Sequence, residues 1–581
     1  MPGGLLQLTG VGAQNELVNG NPSMTHFRTV YRKHTNFAMD HIRMSFSSSN
    51  LEFSTTGTRT LSCRIDRYAQ LLHDSYLVLT LPNIWSPLKY LGTSLPPTGY
   101  NQESNSLGFE FQWIKNIGYN LIDRVELTMN GQVIQVLRGE WLKIYSQLTH
   151  DRNKRLIVDQ MVGNVPEMYD PANAYDRNGQ YPHAVAGPTV ASLPRDASNN
   201  LVLPGTTTPE PSIRSRQLVV PLHFWFCENP GLALPLTSLQ NAEVYINVTL
   251  RNLNDLYTVI DVNPSSPTYG TRVKPTGDVT YNAIGLFLTP PTPTGASSNP
   301  TVTTFFPDPY IEGNFIYLTE TEMNQLARAD TTFMVKTVRY VGKEGQFGAN
   351  TDLEIPMFNL VTRLVFASQR SDRIAVNDWD NYTNWENPDR APWTPMSTQF
   401  QTSLYTSGQQ QITSVSPRDP VINGLLLLDG KERMQTKPLP FFSLLQMYRH
   451  TTGDAPEIPG VYMYSFALDH DKYQPSGAIN GSMFNKVILR LTLQQPLPLS
   501  VTAAGTPTTT QVCVLRSTVF SPNPTVIPAG QLSLYDPSEV VTVVQANDNI
   551  VFTFTYTVGV YVESVNFLRI VSGLGNLVFA Q

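Results

Sequence analysis

Charge is scarce in this chain. Asp, Glu, Lys and Arg make up 15% of its 581 residues, against roughly 25% in typical soluble domains. Thr, Ser, Asn, Gln, Pro and Gly take their place, and a surface poor in charge suits burial by neighbours, because desolvating charge is costly. Basic runs are missing too: the net charge is −6 and no run exceeds a pair such as Arg32-Lys33, which argues against direct nucleic-acid binding. Cysteine is nearly absent. Cys63, Cys227 and Cys513 are too few and too far apart for a Cys-x-x-Cys metal site or a disulfide framework, so reduced thiols in a reducing compartment are expected. Met1-Pro2-Gly3-Gly4 has none of the charged and apolar regions of a signal peptide, and no apolar run nears the ~20 residues that span a bilayer. The expectation is a soluble, non-secreted chain.

Hydrophobic residues are an ordinary 41%, and they alternate. Period-2 runs such as Ile42-Arg43-Met44-Ser45-Phe46 and Tyr76-Leu77-Val78-Leu79-Thr80-Leu81, punctuated by Pro and Gly, recur to the end, the pattern of an all-β sandwich. One block order occurs twice. A β-rich run ends in a turn dipeptide, Asn130-Gly131 and again Asp429-Gly430. An aromatic-rich stretch follows (Trp141 to Tyr145; Phe441 to Tyr448), then an aromatic strand (Phe224-Trp225-Phe226; Tyr462 to Phe466), then an apolar strand (Val244 to Arg251; Val487 to Leu493). Building one β module twice points to a surface more than to a single active site.

At this length the chain holds two or more domains with cores of their own. Short helices are predicted at Glu140 to Leu148 and, with Thr319 as cap and early acids, over 319–329. Residues 160–212, 261–309 and 369–420 read as long loops; the last carries Trp379, Trp385 and Trp393 and is expected to be packed. The division predicted is an extended arm over 1–40, a first sandwich over 41–318, a linker helix over 319–329 and a second sandwich over 330–581.

No candidate for chemistry survives inspection of its spacing. Asp469-His470-Asp471 groups metal-ligand types, but strand alternation would put His470 opposite both carboxylates, and a solvated loop is expected. His73-Asp74 and His150-Asp151 lack a third partner for a triad. Gly10-Val11-Gly12 opens like a dinucleotide fingerprint, yet Asn15 replaces the third glycine and no βαβ unit surrounds it. The sequons at Asn247, Asn381 and Asn480 are expected to stay unmodified, and the tryptophans of 379–393 to pack internally or at a subunit contact instead of stacking on sugar. No carboxylate pair can be nominated for a glycoside hydrolase. No catalytic residue, cofactor or metal ligand is assigned, and no enzymatic activity is expected.

Taken in order, the blocks resemble the major capsid proteins of nucleocytoplasmic large DNA viruses, the double jelly-roll family. Similar to that family are Asn19-Gly20-Asn21-Pro22, Tyr31-Arg32-Lys33-His34-Thr35-Asn36-Phe37-Ala38, and Leu121 to Leu127 running into Asn130-Gly131. So are Val220-Pro221-Leu222-His223-Phe224-Trp225-Phe226, Asp429-Gly430-Lys431-Glu432-Arg433, Gln474-Pro475-Ser476-Gly477 and the closing Tyr561 to Ile570 with Gly573. The resemblance covers nearly the whole chain. It implies an all-β fold of two consecutive eight-stranded jelly-roll β-sandwiches with long inserted loops and a few short helices. It also implies pseudo-hexagonal homotrimeric capsomers that tile an icosahedral shell over an internal membrane. Partners would be neighbouring capsomers and minor capsid and penton proteins, with the amino-terminal arm meeting inner-shell proteins near the membrane. The implied location is the virion, after assembly in the host cytoplasm or a viral factory. The alternative is a tandem β-sandwich carbohydrate-binding protein, which would show aromatics on one exposed strand face.

Overall fold

The computed structural model describes residues 16–86, 109–177, 181–184, 210–261, 272–275, 283–290, 302–385, 417–494 and 555–579, with short breaks at 49, 56, 347, 349, 452–457, 471 and 473, together with residue 13 and the backbone of three strands within 508–545. In the first half the principal strands are β1 (Phe37–Ser45), β2 (Arg59–Arg64), β3 (Leu71–Leu81), β4 (Ile122–Met129), β5 (Gln132–Arg138), β6 (Arg216–Pro221), β7 (Val244–Leu250) and β8 (Tyr310–Leu318). They form two antiparallel sheets of order β1-β8-β3-β6 and β2-β7-β4-β5. The second half supplies β9 (Thr331–Gln346), β10 (Thr351–Glu354), β11 (Leu360–Arg370), β12 (Val421–Leu428), β13 (Lys431–Glu432), β14 (Val461–Ser465), β15 (Val487–Leu493) and β16 (Tyr556–Val571). Their sheets run β9-β16-β11-β14 and β10-β15-β12-β13. Each second-half order is the first-half order shifted by eight strands, so the chain is a double jelly roll.

Turn chemistry explains the repeated hairpin. Met129 pairs with Gln132, and Leu428 with Lys431, which leaves two-residue loops. Asn130 and Gly131 have φ of 51° and 79°, Asp429 and Gly430 of 48° and 77°. A type I′ turn needs positive φ at both positions, and Asn-Gly or Asp-Gly accepts it with least strain. Alternation explains the cores. In β15, Val487, Leu489, Leu491 and Leu493 are buried and the residues between them are not. The long strand β16 is covered on both faces: Val558, Val560 and Val562 enter the second core, while Tyr561, Leu568 and Ile570 join the apolar cluster of the first. The two cores therefore press against each other.

Among the helical elements are α1 (Gly139–Thr149), α2 (Arg152–Val162), α3 (Glu320–Arg328), and α4, a π-type turn at Phe441–Leu445 continuing as Gln446–His450. Gly139 is sterically required, because a Cβ there would sit 2.1 Å from the Tyr119 carbonyl oxygen. Helix α3 lies between β8 and β9, with Thr319 at its N-cap but no side-chain hydrogen bond from it. Among the described residues no helix is long and apolar enough to cross a membrane.

Several expectations need correction. Phe224-Trp225-Phe226 is not a strand: β6 stops at Pro221, which has no N–H for the ladder, and Trp225–Cys227 is a 3₁₀ turn whose neighbouring rings are buried. The arm expected over 1–40 ends sooner, since Phe37 already pairs with Leu318. The loop expected over 160–212 overlaps α2, which starts with Asp151 Oδ1 accepting from the Lys154 amide at 3.0 Å and stops at Gly163, φ 76°. The loop expected over 261–309 contributes a strand, Arg272–Val273, to a three-stranded sheet with Tyr257–Asp261 and Phe109–Trp113. The loop expected from 369 begins inside β11 and continues as a short helix, Ser371–Ala375. Residues 185–209, 262–271, 291–301 and 386–416 of these loops, with Trp393, Gly10-Val11-Gly12 and the Cys513 side chain, lie outside the described residues.

Candidate functional site

The chemistry-bearing residues converge on the joint between the sandwiches. Helix α1 buries Trp141, Leu142, Ile144 and Leu148 and turns two charged side chains toward the second half. Glu140, in its first turn, accepts hydrogen bonds from the Tyr382 hydroxyl at 2.7 Å and from the Tyr561 hydroxyl. Burial, then the Glu140 charge, holds both phenols far above their ordinary pKa of 10, so both remain donors. Lys143, 1% exposed, pairs with Asp380. The same carboxylate accepts from Asn116 Nδ2 at 2.7 Å and Asn120 Nδ2 at 2.9 Å.

The tryptophan segment fastens the next stretch. Trp379 donates its indole N–H to the Asp255 carbonyl at 3.0 Å, and the Arg251 guanidinium lies 4.5 Å from its ring centroid. Asn377 Nδ2 donates to the carbonyls of Asn254 and Tyr257, at 2.7 and 3.0 Å. Trp379 is thus packed between the halves, while Trp385 packs within the second half under Arg418, whose guanidinium lies 5.8 Å from its ring centroid.

Farther along, Trp225 meets Phe333 at 5.5 Å between centroids, Trp141 meets Tyr561 at 5.2 Å, and Gln135 Nε2 donates to the Lys336 carbonyl at 2.9 Å. Lys336 Nζ reaches Glu228 at 2.9 Å and the His470 carbonyl at 3.0 Å. Behind it Arg363 grips Glu563 through Nε at 2.9 Å and Nη2 at 2.7 Å, with both side chains almost fully buried. Burial raises the Glu228 carboxyl against the pull of Lys336. For Glu563 burial is outweighed: Arg363, Lys336 and His470 together hold the carboxyl below its usual value. Glu140, Asp380, Glu228 and Glu563 are each paired with a cation or a phenol, which suits locking.

His470 corrects one expectation. It lies not in a solvated loop but 4% exposed, with Nε2 2.7 Å from Ser465 Oγ. Asp469 bridges to Lys472, and Asp471 lies outside the described residues. Among the described residues no group of three His, Cys, Asp or Glu could hold a metal. Asp151 caps α2, and His73 Nδ1 contacts the Phe226 carbonyl at 2.8 Å. Of the sequons, Asn381 is 1% exposed and bonded through Nδ2 to Trp385 O at 2.8 Å, and Asn247 pairs within the β7 ladder. Cys63 and Cys227 are free thiols. Glu140, Lys143 and Asp380 were not singled out in the sequence. The available signal was a pair of charges interrupting the apolar face of a short helix.

His150 and His223 form a second inward-facing pair, their rings 5.5 Å apart. Burial and then the Lys154 charge push His150 down to about 4; burial and then His150 push His223 down to about 3. In the unfolded chain both take a proton near 6.5, so acidification from there toward 4 favours unfolding. We expect the melting temperature to fall over that window, and His223→Phe to flatten the slope by at most about 1.4 kcal/mol per pH unit. Thermal melts of both proteins from pH 7 to pH 4 check this; parallel curves would exclude His223 as the source.

Comparison with known proteins agrees with this fold. The family model described as "Major capsid protein N-terminus" matches residues 25–306, and that described as "Large eukaryotic DNA virus major capsid protein" matches 322–527. The chain is 26% identical over 561 residues to the major capsid protein of Phaeocystis pouchetii virus, covering 87% of this chain and 95% of that one. It is 24% identical to the major capsid protein of Paramecium bursaria Chlorella virus 1, over 100% of both. Among solved structures it is similar in fold to the PBCV-1 virus capsid (20% identity, 96% of this chain and 100% of that one, TM-score 0.57) and to the Faustovirus major capsid protein (13%, 98% and 96%, TM-score 0.56). With its two halves matched, in order, by these two major-capsid-protein models, and with a jelly roll in each half, the chain belongs to the major capsid proteins of large eukaryotic DNA viruses, a structural family and a component of the virion capsid.

Proposed function

We propose that this chain forms a homotrimeric capsomer of pseudo-hexagonal outline that tiles an icosahedral shell. One observation carries the reading: the same eight-strand sandwich occurs twice in one chain, and buried ion pairs and aromatic contacts hold the two copies in a single relative orientation. Three such chains present six similar modules, the number a hexagonal tile needs, and closed rings are what head-to-tail contacts between identical subunits generate when the rotation closes. The division follows the same logic, with an arm before Phe37, one sandwich on each side of α3, and long loops left to decorate or interlock. Neighbouring capsomers, minor capsid and penton proteins are the partners, and assembly takes place in the host cytoplasm or a viral factory.

The arm supports a docking role. Met24, Phe27, Val30 and Tyr31 are between 69% and 99% exposed, and apolar residues clustered in the open mark an interaction segment. Inner-shell proteins near an internal membrane are its proposed targets. Native mass spectrometry tests the capsomer: a dilution-resistant particle of three 64.8 kDa chains supports it, and a stable, folded monomer overturns it. Deleting residues 1–26 is expected to leave the trimer intact while impairing shell assembly in a co-expression assay. Loss of the trimer in that deletion would remove the arm from this role.

A further inference from the structure

A strand at the edge of a sheet presents unpaired N–H and C=O groups unless something covers them. Two such edges face each other within this chain: β5 ends the order β2-β7-β4-β5, and β9 begins the order β9-β16-β11-β14. At one point a side chain closes the gap, where Gln135 Nε2 donates to the Lys336 carbonyl at 2.9 Å. Beyond it the edges part around a cavity of about 330 Å³. Thr337, Val338, Arg339 and Tyr340 all line this cavity. Successive side chains of a strand point to opposite faces, so four in a row line one cavity only along the strand's edge. The main chain agrees. The N–H and C=O groups of successive residues in an antiparallel strand turn alternately toward its two sides. The Lys336 carbonyl is turned to the first sandwich, so those of Val338 and Tyr340 turn the same way, away from β16. Among the described residues no hydrogen bond reaches them from that side.

The walls restrict what fits. Val136, Trp141, Tyr340, Phe358 and Tyr561 make them largely apolar and aromatic. Two cations stand among these rings: the Arg138 guanidinium lies 4.1 Å from the Tyr340 centroid, and that of Arg339 lies 5.0 Å from the Phe358 centroid. Stacking uses the face of a guanidinium and leaves its N–H edge free to grip a carboxylate. Both arginines are exposed, and among the described residues neither has an ion-pair partner and no carboxylate lines the cavity. Glu140, the acid beside Trp141 in sequence, already accepts from two phenols. A lipid anion or a phosphate would satisfy the guanidiniums but leave the Val338 and Tyr340 carbonyls without a donor. An extended polypeptide satisfies both. The chain's own arm does not suit, because residues 1–36 carry Arg28, Arg32 and Lys33 against Glu16 alone.

We propose that this cleft binds an extended, acidic segment of a partner protein by strand addition. The segment pairs with the open edge of β9 at Val338 and Tyr340, sets an apolar side chain against Trp141 and Tyr561, and turns carboxylates to Arg138 and Arg339. In this mode main-chain pairing supplies the affinity and the side-chain pockets supply the selectivity. Every group of the cleft comes from one chain, so the site is complete in a single copy and does not depend on the three-copy reading.

The probe is a fluorescent, end-blocked hexapeptide that alternates glutamate with valine or phenylalanine, titrated into the full-length protein and followed by anisotropy. It is expected to bind, and Arg138→Gln/Arg339→Gln is expected to weaken it at least tenfold. Lys431→Gln, at an exposed cation of β13, is expected to leave the affinity unchanged. The Val338 and Tyr340 amides are expected to exchange fast in the free protein and to gain protection with the peptide, a readout that needs no substitution. A peptide that does not bind overturns the proposal outright, and unchanged affinity in the double arginine variant moves binding away from this cleft. Equal binding of the same peptide with methylated backbone nitrogens shows a contact of charges without strand pairing. Equal binding of a peptide of residues 24–35 of this chain, or displacement of the probe by an equal concentration of decanoate, shows that the cleft does not select an acidic polypeptide.

Discussion

Glu563→Leu is expected to cost about 3–5 kcal/mol, the usual loss when one member of a buried ion pair is removed. Arg363 is 1% exposed at its side chain and would lose the carboxylate that holds its Nε and Nη2. Lys336 would lose part of the field that, against its own desolvation, keeps its pKa raised. The cost belongs to the abandoned charge more than to the lost bond. Arg363→Met/Glu563→Leu, which removes both charges at similar volume, should therefore recover most of the loss. Denaturant midpoints of the three chains decide it, and a double variant as unstable as the single one would refute the argument. The pH dependence has a definite sign. A carboxyl held below its usual 4.5 stabilises the fold above that value, and the contribution disappears as pH falls through its lower folded value. The deficit of Glu563→Leu should accordingly shrink only below pH 4.5, a window lower than that of His150 and His223.

Asp380→Ala is the second large effect, again about 3–5 kcal/mol, and it should differ in kind. Asp380 comes from the second half, whereas Lys143, Asn116 and Asn120 belong to the first. Its removal leaves a lysine 1% exposed without its carboxylate and two amides short of an acceptor, each an added penalty. Because the lesion lies between the sandwiches, we expect unfolding to split into two transitions and hydrogen exchange to rise over 377–385. Asp380→Asn, which keeps an acceptor but no charge, should fall between. A single unfolding transition with unchanged exchange in Asp380→Ala would show that the joint does not depend on this pair.

How much was legible depended on the range of the physics involved. The type I′ turns at Asn130-Gly131 and Asp429-Gly430 were readable because positive φ is a local demand met by few residues. The strands β7 and β15 were readable because burial of one sheet face prints a period of two on the sequence. Helix α2 escaped notice because its cap, Asp151, and its stop, Gly163, bracket a polar stretch of low mean hydropathy. Phe224-Trp225-Phe226 read as a strand because aromatic content is shared by strands and by buried turns; the missing N–H of Pro221 was the local clue.

The joint itself was barely visible. Nothing in the spacing of Glu140, Lys143, Asp380 and Tyr382 relates them, since the partners lie more than 200 residues apart and a hydrogen bond leaves no periodic trace. Lys336 likewise lies over 100 residues from both Glu228 and His470, and the burial of His470 reversed the expected solvated loop. By itself, the sequence determined the fold class, the duplication and the family, because alternation, turn chemistry and block order are written along the chain. Only the tertiary structure decided which apolar faces the second sandwich covers and which strand edges, on β5 and β9, remain open. Those are properties of packing between distant segments, and the same apolar stripe reads identically in sequence whether it is covered or not.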